Sequence, residues 1–423
     1  MGRFFRIMLF LVLGIVRGYG SEFREIGSYG GREMPSPHFR TYRKYQGRTG
    51  TFYLFDLERN GRFFNALLYR SLQVEGVSGS WHVALADWRM AKREANLKLG
   101  ENRKSFPLAP MALRMDLQRV KYVVVFTEKP VKELGIRFVD LLPRPVKNRK
   151  MHLASWVWKG EHLTAEILKN WGIDRIYLQH APEFTRTVLR WKKEMKSLNI
   201  YAVSGTAGEI YRPRALIRRW QNLPWNKLEG VQLDVEPYLL PEYRDHPAET
   251  LHHYLKFVRE VGTWVHQKGK KLSLAVPFWF QNILLNGNPL LREIFRVTDE
   301  VVVMSYRNQA EEVLNLSRVF LRWGEITGKR VSIGIELLPL QREESSDGIC
   351  ATEHFYHLRC RDTEVHEGKI SFAGHPDRFK QMLLLPVPAP SFDRLVLHDL
   401  SALKYFKNPL IKKKAADIHP TLW

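Results

Sequence analysis

Eight short apolar runs, each separated from the next by a helical stretch, constrain the fold of this chain more than any other feature. The candidate strands are Leu153–Trp158, Arg175–Gln179, Ile200–Ser204, Gly230–Glu236, Lys271–Pro277, Glu300–Tyr306, Arg330–Glu336 and Arg394–His398. Helical patterns fall between them, among them Ala165–Trp171, Thr185–Leu198, Ala248–Lys268 and Glu311–Thr327. Three of these helices stop at Gly172, Gly269 and Gly328, which is C-cap chemistry ahead of the next strand. Eight strands interleaved with helices over roughly 250 residues predict an α/β fold, a (β/α)8 TIM barrel spanning residues 151–423. The seventh unit is irregular: Leu340–Arg378 is polar and reads as a long active-site loop plus a short helix.

Side chains alternate across a strand, so strand parity sorts the barrel interior from its helix-facing surface. The sets reading inward are Val302, Met304 and Tyr306 on the sixth strand, Ser332, Gly334 and Glu336 on the seventh, and Ser273 and Ala275 on the fifth. In Gly230–Tyr238 the same rule separates Gln232, Asp234 and Glu236 from Val231, Leu233 and Val235, and Pro237 cannot donate the next ladder bond. Glu236 is thereby expected at the C-terminal mouth of the barrel, where such folds carry their chemistry. Two carboxylates two residues apart repel, which favours one of them holding a proton near neutral pH, as a general acid requires.

Ahead of the barrel the character changes. Thr51–Leu57, Arg62–Arg70, Trp81–Ala86, Met111–Leu117, Tyr122–Thr127 and Glu133–Val139 are short and strand-like, and predict a smaller all-β, sandwich-like domain over 21–141. Residues 142–150, rich in Pro and charge, read as a linker. Trp81 and Trp88 are either sugar-stacking platforms or core. The start of the chain, basic at Met1–Arg6, apolar at Ile7–Val16 and small at Gly18 and Gly20, reads as a signal peptide over 1–20, with an uncleaved anchor as the competing reading. A secreted or periplasmic protein is expected, with no stable membrane span once the leader is removed. Cys350 and Cys360, the only cysteines, either staple the loop after strand seven or stay free.

The formal net charge of +22 favours anionic partners. The basic residues are scattered, apart from Lys412, Lys413 and Lys414, and no nucleic-acid motif is present, so a polysaccharide or envelope glycan is preferred over nucleic acid. There is no Gly-rich phosphate loop, no Ser nucleophile elbow and no zinc-type H-E-x-x-H pattern, and neither cofactor nor metal is expected.

Leu233-Asp234-Val235-Glu236 resembles the end of the strand-four signature of chitinase-type (family 18) glycoside hydrolases, and Met304-Ser305-Tyr306 resembles that family's strand-six motif. The resemblance implies that Glu236 protonates the glycosidic oxygen, that Asp234 orients a substrate acetamido group, and that Tyr306 hydrogen-bonds it. Such substrate-assisted chemistry departs from the two-carboxylate scheme. The match is partial. Glu229 and Gln232 occupy the signature's earlier acidic positions, and His398 and Asp399 stand where a tryptophan is expected after the last strand. A competing arrangement pairs Glu236 with Glu336 as acid/base and nucleophile of a retaining glycosidase, although Val235 stands where that clan has Asn. Glu336 has a second reading, as ion partner of Arg307. Candidate substrate-binding residues are Trp156, Trp158, His180, Tyr238, Trp279, Arg307 and His398; aromatic faces among them would stack on sugar rings. An exported glycoside hydrolase is favoured. A catalytically dead, glycan-binding barrel and a barrel enzyme acting on a small ester or lactone are the alternatives.

Overall fold

The structure, a computed structural model, describes residues 33–34, 39–45, 48–58, 64–87, 96–101, 105–141, 151–158, 160, 163–339, 368–387 and 389–406. The leader, the linker, Trp88, Cys350, Cys360, the lysine run at 412–414 and most of the loop after strand seven lie outside the described residues. The chain divides into two compact units, one of residues 1–143 with 286–288 and one of residues 144–285 and 289–423.

The first unit consists of two antiparallel sheets. One holds β1 (Glu33–Met34), β4 (Tyr69–Glu75), β7 (Ser105–Pro107) and β9 (Gly135–Leu141) in the order β1-β9-β4-β7. The other holds β2 (Phe39–Tyr45), β3 (Arg48–Asp56), β5 (Trp81–Asp87), β6 (Asn96–Glu101) and β8 (Val120–Thr127) in the order β2-β3-β8-β5-β6. Trp81, only 3% exposed, meets Phe106 of the other sheet edge-on at 5.7 Å, which joins the two inner faces and excludes Trp81 as a sugar platform. Two expected strands are corrected. Met111–Leu117 is helix and turn instead: Pro110 lies in the first turn of the helix Ala109–Ala112, and the buried Asp116 carboxylate accepts from the Gln118 amide and from Arg119. Within Arg62–Arg70, Ala66–Leu68 forms a 3-10 turn, so β4 begins only at Tyr69.

The second unit is a closed, parallel eight-stranded barrel. Its strands are β10 (Leu153–Val157), β11 (Ile173–Gln179), β12 (Asn199–Ser204), β13 (Gly230–Leu233), β14 (Lys271–Pro277), β17 (Glu300–Met304), β18 (Arg330–Glu336) and β19 (Phe392–His398). A small hairpin, β15 (Leu284–Leu285) and β16 (Asn288–Pro289), lies between β14 and β17. Gly172, Gly269 and Gly328 take φ of 65°, 66° and 69°, the left-handed conformation in which glycine ends a helix without steric cost. The helix expected over Thr185–Leu198 is shorter, Phe184–Glu194. Of the irregular seventh unit, the described part contains the helix Pro376–Leu384.

Inward parity holds around the barrel. Ala154, Trp156, Tyr177, Tyr201, Val203, Ala275, Val302, Met304, Tyr306 and Val396 form one interior cluster. At its N-terminal end Arg175 donates to Glu300 at 2.8 Å and to Asp393 at 3.0 Å, while the Tyr177 and Ser332 hydroxyls donate to Glu300 at 3.1 and 2.6 Å. Higher up, buried Gln232 is satisfied at both ends of its amide: it accepts from the Trp156 indole at 2.6 Å and donates to Ser273 at 3.1 Å. The Trp156 ring fits because Gly334 has no side chain: a Cβ there would lie 2.8 Å from its Cη2. Gly334→Ala is accordingly expected to lower stability by about 1–3 kcal/mol through overpacking, read from the denaturation midpoint followed by barrel tryptophan fluorescence. No helix among the described residues is long and apolar enough to cross a membrane.

Candidate active site

β13 ends at Leu233, so Asp234 and Glu236 lie just past the strand rather than in it. The chain turns there because Pro237 opens a 3-10 turn, Pro237–Leu239, and cannot extend the ladder. Asp234 is held from β12: its amide donates to the Ser204 carbonyl at 2.8 Å. Gly205 permits this approach, since a Cβ at that position would meet the Asp234 carbonyl oxygen at 2.6 Å. Both carboxyls open onto a cavity of about 500 Å3 at the C-terminal end of the barrel, whose wall also includes Trp158, His180, Ser204, Arg219, Tyr306 and His398.

The carboxyls differ in their surroundings. Asp234 Oδ1 is buried and has no hydrogen-bond partner among the described residues. Glu236 Oε1 accepts a hydrogen bond from the Tyr238 hydroxyl. Burial raises both pKa values, Asp234 to about 6 and Glu236 to about 8. Glu236 goes higher because the neighbouring Asp234 charge adds to its burial, and the Tyr238 bond and His398 only partly offset this. The neutral Gln232 amide adds no further charge beneath the pair. At neutral pH the pair therefore carries one proton, held mainly by Glu236.

His398 closes the opposite side. Its Nδ1 lies 2.7 Å from Glu336 Oε2, and the Trp158 indole donates to its Nε2 at 2.9 Å. An indole N–H can only donate, so Nε2 accepts and the imidazole proton sits on Nδ1, directed at Glu336. Burial lowers the imidazole pKa, but the Glu336 carboxylate outweighs it and the net direction is upward. The ring also packs against Trp156, Trp158 and Tyr306 at centroid distances of 5.8–6.0 Å.

Asp234, Glu236, Tyr306, Trp158, His180 and His398 thus gather on one cavity. The remaining candidates do not line it. Glu336 is fully buried behind His398, and its other oxygen accepts from the Leu338 amide at 2.8 Å. Its expected place on the rim, and its expected pairing with Arg307, are both replaced by the bond to His398. Arg307 donates to the Tyr306 carbonyl at 2.8 Å and lies over the Phe278 ring. Trp156 is 1% exposed and belongs to the layer below the cavity. Tyr238 acts on Glu236 rather than on the cavity, and Trp279 packs edge-on against Tyr238 at 5.0 Å.

One wall was not anticipated. Ser204 donates to the carboxylate of buried Glu209 and accepts from Arg219 at 3.0 Å, while Arg219 also pairs with Glu209. A serine and an arginine 15 residues apart form no motif; the only local signal is that β12 ends at Ser204 and that the 3-10 turn Ala207–Tyr211 leads into the helix Pro213–Trp220.

No protein-family model matches the chain, and no curated protein does. Similar solved structures include a GH18 chitinase from Pseudoalteromonas aurantia, 10% identical over 59% of this chain and 94% of its own, with a TM-score of 0.34. A GH18 chitinase from Cycas revoluta in complex with (GlcNAc)3 is 13% identical over 59% and 95%, with a TM-score of 0.33. A chitinase from Chromobacterium violaceum is 14% identical over 44% and 68%, with a TM-score of 0.32. Scores and identities this low fix neither family nor activity.

Proposed function

We propose that this chain is an exported glycoside hydrolase with Glu236 as its general acid. The observation carrying the proposal is the carboxyl pair on the cavity: Glu236 is half-buried beside Asp234, surroundings that favour the protonated acid near neutral pH. A glycosidic oxygen brought to this carboxyl would receive the proton as its bond to the anomeric carbon breaks. Asp234 lines the cavity beside Glu236, where its carboxyl is matched to an N–H or O–H on the sugar. That fits the role the family resemblance implies for it, with Tyr306 on the same wall. Tyr238 fixes the orientation of Glu236, and Trp158 offers an aromatic edge to the substrate.

A retaining mechanism using Glu336 gains no support from the geometry, because both of its oxygens are already bonded within the barrel. The binding-only alternative is separated from the enzyme by assay. Chitin-type, β-glucan and acidic bacterial polysaccharides are incubated with the wild type and with Glu236→Gln, and new reducing ends are measured. Release by the wild type alone supports the proposal. Equal binding with no release by either protein would leave a glycan-binding scaffold.

A further inference from the structure

The Ser204–Glu209–Arg219 wall is built more carefully than a surface helix requires. Arg219 uses only Nη2 for its two protein partners, Ser204 Oγ and Glu209. Nε and Nη1 have no partner among the described residues, although the side chain is 48% exposed on the cavity. Glu209 is 8% exposed and is bonded by both Ser204 and Arg219, so the guanidinium is anchored through Nη2 and the N–H groups of Nε and Nη1 are left to meet a ligand. The Thr206 hydroxyl makes no cap bond to the 3-10 turn that follows, Ala207–Tyr211, and its exposed side chain lies on the same wall. His180, also on this wall, has its pKa lowered by burial and by Arg219, so it adds a neutral donor or acceptor and leaves Arg219 as the local cation.

We infer that Arg219, with Thr206 beside it, forms a subsite for a carboxylate carried by the sugar chain. The substrate class is then an acidic glycan rather than a neutral one. This deepens the hydrolase reading and rests on it for the identity of the site, but not on turnover. Glu209 and Ser204 hold Arg219 in place, and a charge-assisted guanidinium N–H favours a carboxylate over a neutral hydroxyl. A net charge of +22 would draw such a polymer toward the surface without selecting for it.

The test uses full-length Glu236→Gln, which binds without turning over, and two matched probes. One is peptide-free bacterial peptidoglycan strands, whose lactyl groups carry carboxylates. The other is the same strands after chemical reduction of those carboxyls to alcohols. The acidic strands are expected to bind roughly tenfold tighter than the reduced ones. Adding Arg219→Gln should abolish that difference while leaving affinity for the reduced strands unchanged. Adding Arg219→Lys, which keeps a charge beside Glu209 but loses the Nε and Nη1 donors, should retain only part of it. Thermal melts of each variant show whether the fold is kept. Equal affinity for both probes, loss of both on Arg219→Gln in a folded protein, or binding of neither would overturn the subsite. Hydrolysis of neutral chitin oligomers with no acidic preference would sink the subsite while leaving the hydrolase. An acidic preference without hydrolysis by the wild type would do the reverse.

Discussion

Glu236→Gln is expected to lower turnover by ~10²–10⁴-fold with glycan binding largely intact, because glutamine keeps the shape and hydrogen-bonding reach of the acid but has no proton to give. The pH profile supplies the sign. Glu236 is active while protonated, so wild-type activity should fall as pH rises through about 8. Asp234→Asn removes a like charge from beside Glu236 and should move that limb to lower pH, as well as slowing turnover. Stability is linked to the same proton. The unfolded glutamate titrates near ~4.3. Between there and about 8 the native protein holds the extra proton, so its stability falls as pH rises across that window. Glu236→Gln removes this slope and should melt higher than the wild type at pH ~9. An unchanged turnover number in Glu236→Gln, or an alkaline limb that ignores Asp234→Asn, would remove Glu236 from the acid role.

The largest expected loss of stability lies at the other end of the barrel. Arg175 and Glu300 are 2% and 3% exposed, and Glu300 also accepts from Tyr177 and Ser332. Burial and the nearby Glu300 charge push the Tyr177 hydroxyl well above its ordinary range, so it stays a donor. Glu300→Ala would leave the Arg175 guanidinium inside the barrel with Asp393 as its remaining carboxylate, at a cost of about 3–5 kcal/mol. Chemical denaturation followed by barrel tryptophan fluorescence measures this. A loss below about 1 kcal/mol would mean that water reaches Arg175 and that the cluster is not a sealed floor.

Much of this was legible because it is local. β-branched runs, inward parity and three glycine caps are written in consecutive residues, and they located the barrel strands, the interior of β14, β17 and β18, and the Asp234–Glu236 pair. What escaped the sequence depends on register between elements. Trp156 and Trp158 share a face, yet only Trp158 reaches the cavity, because Trp156 sits one layer lower over Gly334. Glu336 and His398 are 62 residues apart, but β18 and β19 are neighbours in the barrel and these two residues are paired in register. Placing the ends of strands seven and eight side by side would have suggested His398 as the partner of Glu336. Tyr238 was expected to meet substrate and instead bonds Glu236, since the 3-10 turn after Pro237 folds it back. In the first unit, Met111–Leu117 has strand-like residues, but Pro110 and the Asp116 cap decide the backbone there.

Glu236 is expected to keep its proton at neutral pH. Isotope-edited infrared difference spectroscopy of the wild type against Glu236→Gln reads that proton through the carbonyl stretch of the protonated acid. The expected result is a protonated band at pH ~7 that is absent from Glu236→Gln, titrates away near about 8, and shifts to lower pH in Asp234→Asn. A Glu236 carboxyl already ionised at pH ~6, close to the ordinary glutamate range, would contradict it.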